Sequence, residues 1–193
     1  MFYEIEEDKS QYQQSGEVFW ATGAAMFVKK QYWVAANGFD ERFFAHMEEI
    51  DLCWRLKNMG YKVMYCAQSE VYHVGGGTLN TENPFKTFLN FRNNLLLLRN
   101  NLSFWRGLFI IGIRFWMDLL AIVRFLNEGK RKDAWAVSRA HQNFVVQLFK
   151  GGGPKTKRSN LPDLKGMYKR SIVWDFFMNK KHNFSSLNPK DFY

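Results

Sequence analysis

Cysteine is scarce in this chain, with Cys53 and Cys66 as its two residues of this type among 193. Two cysteines cannot build the disulfide framework of a small secreted domain. Each lies in an apolar segment, so we expect reduced, buried thiols and a cytoplasmic protein. The acidic start of the sequence also offers no apolar stretch of the kind that a signal peptide needs, which agrees with that expectation.

Several motifs that would assign a chemistry directly are absent from the sequence. There is no Walker loop and no dinucleotide fingerprint, although three consecutive glycines stand at 75–77. The patterns CxxC, HExxH and GxSxG are absent as well. The sequence shows no internal repeat and no recognised nucleic-acid-binding motif. These absences exclude the commonest NTPase, dehydrogenase, zinc-site and serine-hydrolase signatures.

Negative charge is scarce in the second half of the chain. Residues 1–100 carry 10 Lys/Arg and 12 Asp/Glu, whereas residues 101–193 carry 17 and 6, so the net charge of +9 arises entirely after residue 100. We therefore expect a catalytic or binding part at 1–100 and a basic, aromatic-rich extension at 101–193 that faces an anionic surface. Charge alone leaves anionic lipid and nucleic acid open as that surface.

The hydrophobic pattern predicts alternating strands and helices in the first half. Three strands and two helices are predicted, at 17–28, 61–67 and 71–74 for the strands and at 29–36 and 47–59 for the helices. Asn37-Gly38 and Gly60 end the two helices. Asn83-Pro84, as N-cap and first helical residue, begins a third helix that reaches about Arg99. This alternation indicates an α/β layer, but three short strands are few for a free-standing sheet.

The second half is predicted to be helical, with a long apolar-aromatic helix at 103–127 and a further helix at 133–150. Charges along the whole length of the first of these helices argue against a transmembrane span. An interfacial helix on a membrane and a core helix packed on the domain both fit its pattern. Four charged residues fall within roughly a 120° arc of this helix: Arg106, Arg114, Asp118 and Arg124.

Three carboxylates cluster where the second predicted helix begins, at Glu48, Glu49 and Asp51. An acidic first turn is ordinary in itself, because it complements the helix dipole. Glu48 and Asp51 share a helix face with Arg55, and we expect them to pair with this cation. Glu49 lies on another face, at the edge of an apolar surface, where partial burial would raise its pKa towards the range of a general base.

His73 is the second candidate for chemistry, because it stands just before the glycines at 75–77. Most single histidines near a strand end are structural, but the glycines would allow a phosphate to approach closely. No other histidine lies within ligand spacing, so a metal here would need ligands from elsewhere and from a substrate phosphate. This combination favours Mg²⁺ or Mn²⁺ over structural zinc.

Four blocks of sequence together carry a family resemblance. In order, over about residues 18–100, they are WATGAAMFVKK, NGFDERFFAHMEEIDLCWRLKNMGYKV, VYHVGGGTLN and FLNFRNNLLLLRN. They resemble the second half of family 2 glycosyltransferases and, more narrowly, of bacterial rhamnosyltransferase-like enzymes. The resemblance implies an α/β chain that holds the C-terminal part of a GT-A mixed sheet. It also implies inverting transfer from a nucleotide-sugar to an acceptor hydroxyl, in the synthesis of cell-surface polysaccharide or glycolipid.

The resemblance assigns roles to individual residues as well. In the family the second carboxylate of the acidic pair is the catalytic base, which here is Glu49, where many relatives have Asp. His73 matches a metal ligand that would hold Mg²⁺ or Mn²⁺ beside the donor diphosphate. Arg92 would neutralise diphosphate charge, although a solvated helix face explains it more simply. The acceptor and donor pocket would be lined by four residues: Trp20, Gly23, Ala24 and Arg92.

The resemblance covers only the second half of these enzymes. Their N-terminal half, which carries the nucleotide-binding strands and an Asp-x-Asp metal motif, has no counterpart before residue 17. We therefore expect a truncated or split enzyme that is inactive alone and takes its other half in trans. A lipid-linked acceptor would explain the basic second half and would place the protein at the inner face of the cytoplasmic membrane.

Two other functions also fit parts of the sequence. One is a non-catalytic structural partner of a transferase, since the glycosyltransferase pattern is incomplete. The other is a basic module that binds membrane or nucleic acid through the second half. Nucleic acid is the less favoured partner, because no recognised motif for it is present.

Overall fold

The computed structural model describes residues 6–73, 83–154 and 164–193. Within these ranges the chain forms two strands and six α-helices, which in chain order are β1 (Gly16–Val18), α1 (Lys30–Ala35), α2 (Glu48–Asn58), β2 (Val63–Tyr65), α3 (Pro84–Asn101), α4 (Phe104–Asn127), α5 (Arg131–Lys150) and α6 (Ile172–Phe177). Short 3-10 helices add single turns at Glu41–Phe43, Phe184–Ser186 and Pro189–Asp191.

β1 and β2 pair antiparallel, with Gly16 opposite Tyr65 and Val18 opposite Val63. The strand predicted at 17–28 is wrong beyond Val18, where the chain continues as a loop to α1. The strand predicted at 61–67 is shorter than expected. No further strand of the described residues joins this two-stranded sheet.

The other strand prediction, at 71–74, is not confirmed where it can be compared with the structure. Residues 71–73 join no sheet of the described part of the chain, and residue 74 and the glycines at 75–77 lie outside the described residues. The GT-A mixed sheet stays a prediction.

The helix boundaries predicted from local signals are confirmed. α1 ends before Asn37 and Gly38, whose φ angles of 61° and 59° lie in the left-handed region. α2 is followed by Gly60, whose φ is 89°. At the start of α3, the Asn83 side chain accepts a hydrogen bond of 2.9 Å from the backbone N–H of Phe85. Helix starts and stops depend on neighbours within one turn, which is why the sequence identifies them.

The main core lies where α2, α3 and α5 meet. A smaller apolar cluster of Ala36, Leu52 and Leu56 lies between α1 and α2. The main core therefore joins residues on both sides of the predicted boundary at 100 and 101. Its buried members come from five parts of the chain: Phe43, Trp54, Leu95, Leu96, Leu97, Leu102, Phe144 and Leu164.

The two cysteines have different environments. Cys53 is buried in α2, and burial raises the pKa of its thiol. Cys66 is exposed directly after β2, so the prediction that both thiols are buried is wrong for this residue. Both cysteines are free thiols, as the sequence predicted.

α4 turns its apolar side away from the protein. Trp105 and Leu120 are 77% and 71% exposed, so the alternative that α4 is a core helix is wrong for this face. Asp118, by contrast, is buried against α5 and lies 2.9 Å from His141 Nε2. Within the described ranges, no helix combines the length and apolar character that crossing a bilayer requires.

Candidate active site

The loop that leads into α2 has an unusual backbone. Three of its non-glycine residues have positive φ angles: Phe44 at 62°, His46 at 68° and Met47 at 74°. Such conformations cost roughly 1–3 kcal/mol each and persist only where the surroundings hold them. Met47 is the N-cap of α2, so this strained loop determines where Glu48 and Glu49 begin the helix.

Asn93 on α3 holds this loop from behind. Its fully buried side-chain amide lies 3.0, 2.7 and 2.7 Å from the backbone oxygens of Phe43, Ala45 and His46 and donates hydrogen bonds to them. One NH₂ group thus contacts three carbonyls of the loop, of which that of Phe43 also accepts from Arg92 and from the backbone N–H of Ala45. Because α3 is anchored in the main core, Asn93 transmits that rigidity to the start of α2.

We expect Asn93→Leu to destabilise the chain by about 1–3 kcal/mol or more, because it leaves buried carbonyls without a donor. Urea unfolding followed by circular dichroism would measure this loss. Asn94→Leu on the same helix is the matched control and should cost less, since Asn94 is only half-buried. Equal losses for the two variants would show that Asn93 does not hold the loop.

Asp51 and Arg55 form a fully buried ion pair in α2, with Arg55 Nε 2.7 Å from Asp51 Oδ2. The guanidinium also donates to the backbone oxygens of Ala36 and Gly38, just after α1. Hydrogen bonds to charged groups of this kind are the strong ones. The pairing of Asp51 with Arg55 predicted from their spacing is confirmed, and it attaches α2 to the end of α1.

Asn100 and Asn101 complete this network from α3. Their amides donate to Asp51 Oδ1 at 3.1 and 2.8 Å. Asn100 also donates to Asp40, which forms an ion pair with Arg42 at 2.6 Å. Burial acts to raise the pKa of Asp40, but the hydrogen bond and charge of Arg42 outweigh it and hold that pKa below its ordinary value.

Glu49 differs from these paired carboxylates. It is half-buried, and its Oε2 atom is buried with no hydrogen-bond partner among the described residues. Burial raises the pKa of Glu49, and the negative charge of Glu48 raises it further, although backbone hydrogen bonds at Glu49 and Met47 partly offset this effect. The prediction of a raised pKa is therefore confirmed. A carboxylate in this state has a free lone pair that can accept a proton.

Glu48 does not behave as the sequence predicted. Arg55 forms its ion pair with Asp51 and none with Glu48 in the described part of the chain. The Oε2 atom of Glu48 is instead buried without a hydrogen-bond partner there, like that of Glu49. The reason is distance along the helix, because Arg55 lies four residues from Asp51 but seven from Glu48. Glu48 acts on Glu49 through its charge and through a side-chain hydrogen bond, both of which raise the pKa of Glu49.

The predicted pocket residues of the first block lie on the loop between β1 and α1. Trp20, Gly23 and Ala24 are all exposed on this loop. Gly23 lies close to the candidate base, since a Cβ atom built on it would stand 3.9 Å from the Cβ of Glu49. The structure thus brings Gly23 and Glu49 together, while the roles of Trp20 and Ala24 stay predictions.

Arg92 lies in the interior of the molecule, so the alternative of a solvated helix face is wrong. Its Nη2 atom donates to the backbone oxygens of Arg42 and Phe43 at 2.7 and 3.0 Å. Burial lowers the pKa of Arg92. A donor diphosphate would have to compete with these carbonyls for the same guanidinium. Its predicted role at the diphosphate stays a prediction.

His73 is exposed and ends the described segment before residue 74. Among the described residues, no three His, Cys, Asp or Glu side chains lie close enough to hold a metal ion. The described donor set therefore does not fit Mg²⁺ or Mn²⁺ by itself. His73 as a metal ligand stays a prediction.

The asparagines of α3 are the residues that sequence analysis missed. Asn93, Asn100 and Asn101 are all buried and all contact the loop or the ion pairs around α2. A signal was present, because buried polar residues need partners and these amides interrupt an otherwise leucine-rich helix. Their partners, however, lie about fifty positions earlier in the chain, beyond the reach of helical spacing.

No protein-family model and no solved structure matches the chain. Two curated relatives do match over 56 residues at 38% identity. One is the N-acetylglucosaminyl-diphospho-decaprenol L-rhamnosyltransferase of Mycobacterium tuberculosis, with 29% of this chain and 18% of the relative covered. The other is the rhamnosyltransferase WbbL of Escherichia coli K12, with 29% of this chain and 21% of the relative covered.

The match covers about a fifth of the length of each of these relatives. It therefore supports a relation to glycosyltransferases over part of the chain. The narrower predictions, of family 2 and of a GT-A fold, go beyond this similarity.

Proposed function

We propose that this chain supplies the acceptor-activating part of an inverting, family 2 type glycosyltransferase, with Glu49 as the general base. One observation carries the proposal: Glu49 is a carboxylate with raised pKa and an unpaired oxygen, set at a rigidly held helix start. The partial similarity to two rhamnosyltransferases supports the same class of reaction independently.

In the proposed reaction, the Glu49 carboxylate removes the proton of an acceptor hydroxyl. The acceptor oxygen forms a bond to the anomeric carbon of the sugar, and the bond from that carbon to the donor diphosphate breaks. Both electrons of the broken bond leave with the diphosphate oxygen, and displacement from the opposite side inverts the anomeric centre. A base with raised pKa holds the abstracted proton better at neutral pH, which favours this step.

The remaining parts of the proposal concern the substrates. The M. tuberculosis relative is named for L-rhamnose and for a lipid-linked N-acetylglucosaminyl diphosphate. We therefore propose a nucleotide-activated L-rhamnose as donor and a lipid-linked saccharide as acceptor, approaching along the loop that carries Trp20, Gly23 and Ala24. The described residues do not by themselves form a site for a divalent cation.

The small size of the two-stranded sheet suggests an activity test of this proposal. Donor binding is proposed to need nucleotide-binding strands beyond β1 and β2, so we expect the purified chain to transfer no sugar by itself. Membranes of the native host should no longer transfer the sugar after the chain has been removed from them. Adding the purified chain should restore the transfer. The measurement is radiolabel passing from nucleotide-L-rhamnose into an extractable lipid-linked product.

A chain carrying Cys66→Ser is the matched control and should restore transfer fully, because Cys66 is exposed and outside the site. Transfer by the purified chain alone would overturn the requirement for a further part. Host membranes that keep full transfer without the chain would overturn the proposed function itself.

A further inference from the structure

The outer face of α4 is a continuous apolar surface. With roughly 100° between successive residues, the exposed large apolar side chains from Phe104 to Leu126 occupy roughly a 180° arc that contains no charged residue, and the exposed Arg106 and Arg124 lie just beyond its edge. At about 1.5 Å per residue, the 24 residues of α4 extend about 36 Å. Its exposed large apolar residues include the following: Trp105, Leu108, Phe109, Ile113, Phe115, Trp116, Leu119, Leu120, Val123 and Leu126.

The inner face of α4 carries a buried charge that would interrupt the apolar surface if it were turned outward. Asp118 is buried, with Arg114 Nε 2.8 Å away as an i,i+4 ion pair and His141 Nε2 of α5 at 2.9 Å. These contacts fix the rotation of α4 about its axis. A surface helix of a water-soluble domain normally turns its apolar face inward, and α4 does the opposite.

The composition of this face favours lipid over another protein as its occupant. A protein interface of such length normally offers about one hydrogen bond per 100–200 Å². Here the polar atoms on the arc are the indole N–H groups of Trp105 and Trp116. Tryptophan is the side chain that the border between lipid tails and water favours. Interfacial helices combine such residues with a charged opposite face.

The positive charge around α4 indicates which kind of lipid this helix would bind. Residues 101–193 carry 17 Lys/Arg against 6 Asp/Glu. Arg131 and Lys132, the first residues of α5, are exposed. Among the acidic residues nearby, Glu128 is already paired with Arg124 and Lys130, and the pKa of Glu128 is lowered to about 2 by these partners. The excess of cations complements an anionic surface.

We propose that α4 is a membrane-docking helix, which lies flat on an anionic bilayer with its apolar face among the lipid tails. The side chain of Asp118 faces the protein and keeps this face turned outward. The inference does not depend on sugar transfer. According to this proposal, the basic second half of the chain binds a lipid surface, and α4 is the helix that makes the contact.

Vesicle flotation of the full chain tests the proposal. We expect binding to vesicles of phosphatidylcholine and phosphatidylglycerol in equal parts and weak binding to phosphatidylcholine alone. Between about 0.1 M and about 1 M NaCl the Debye length falls from roughly 10 Å to roughly 3 Å, so binding should weaken about tenfold or more. Trp116→Glu and Leu120→Glu should each lower binding about ten- to hundredfold, because each removes a large buried apolar group from the lipid.

Phe27→Glu is the matched control, since Phe27 is fully exposed but lies on the loop before α1. It should leave vesicle binding unchanged. Circular dichroism and thermal midpoints should match the unsubstituted chain for all three variants, because the substituted side chains are solvent-exposed. Equal vesicle binding by all variants would overturn the proposal. A dimer that is detected by light scattering and dissociated by Leu120→Glu would also overturn the proposal. The apolar face would then be an interface with a second copy of the chain.

Discussion

Glu49→Gln is expected to lower sugar transfer by about 10²–10⁴-fold when the variant chain is added to host membranes depleted of the original. Gln keeps the size and hydrogen-bonding shape of Glu but cannot accept the proton of the acceptor hydroxyl. The expected range is the usual contribution of a general base. The measurement is the initial rate of label transfer from nucleotide-L-rhamnose at saturating acceptor, so that loss of the chemical step is separated from loss of binding.

The same variant should be more stable than the unsubstituted chain at neutral pH. Because burial and Glu48 raise the pKa of Glu49 above its ordinary value near 4.5, the folded state binds this proton more tightly than the unfolded state. The unsubstituted chain therefore loses stability as the pH rises from about 4.5 through the raised pKa of Glu49. Gln does not ionise, so its advantage should be present at about pH 8 and absent at about pH 4.

Glu41→Gln is the matched control for both measurements, because Glu41 is an exposed carboxylate one turn before the strained loop. It should leave transfer and pH-dependent stability unchanged. Glu48→Gln should lower the pKa of Glu49 by removing the neighbouring charge, and should thus move the pH profile of transfer to lower pH. If the Glu49→Gln chain gains stability at neutral pH but transfers sugar normally, the role of Glu49 is structural and not catalytic.

Asp51→Ala is expected to cost about 3–5 kcal/mol of unfolding free energy, the largest structural effect that we predict. It leaves the fully buried Arg55 guanidinium without its carboxylate and the amides of Asn100 and Asn101 without their shared acceptor. Since small domains have about 5–15 kcal/mol in total, this loss would remove much of the stability. Urea unfolding with circular dichroism and Trp fluorescence would measure it.

A double variant keeps this prediction testable if Asp51→Ala does not fold. Asp51→Leu combined with Arg55→Leu removes both charges, and it should cost less than Asp51→Ala because no unpaired charge remains buried. Glu7→Ala is the surface control, because the Glu7 carboxylate is 82% exposed and lies 3.9 Å from Lys9. It should not change the unfolding midpoint measurably. A double variant less stable than Asp51→Ala would show that the ion pair itself, and not desolvation of a lone charge, dominates.

The features that sequence analysis identified correctly share one property, which is that they depend on residues within one helical turn. The start of α3 at Asn83-Pro84, the end of α2 at Gly60 and the Asp51–Arg55 pair are all of this kind. The raised pKa of Glu49 belongs with them only in part, because helical spacing gives its face of α2, whereas the burial that raises the pKa comes from the segments around that face. Helical spacing alone places these groups.

The features that sequence analysis missed depend on contacts between distant segments. Only two residues of the strand predicted at 17–28, Glu17 and Val18, pair with another strand, since strand length depends on which segments lie alongside. Cys66 is exposed because the segments around the end of β2 do not bury its side chain. Arg92 looked like a surface residue by spacing but is buried by the loop at 42–43.

The sequence by itself determined helices α1 to α5, the candidate base on α2, the excess of positive charge after residue 100 and the amphipathic character of α4. The tertiary structure alone decided that Asn93 holds the loop before Glu48 and that Glu49 keeps an unpaired oxygen. It also decided that α4 turns its apolar face outward. The physical reason is that local spacing orders side chains around one helix, whereas burial and partner choice depend on which other segments pack against that helix.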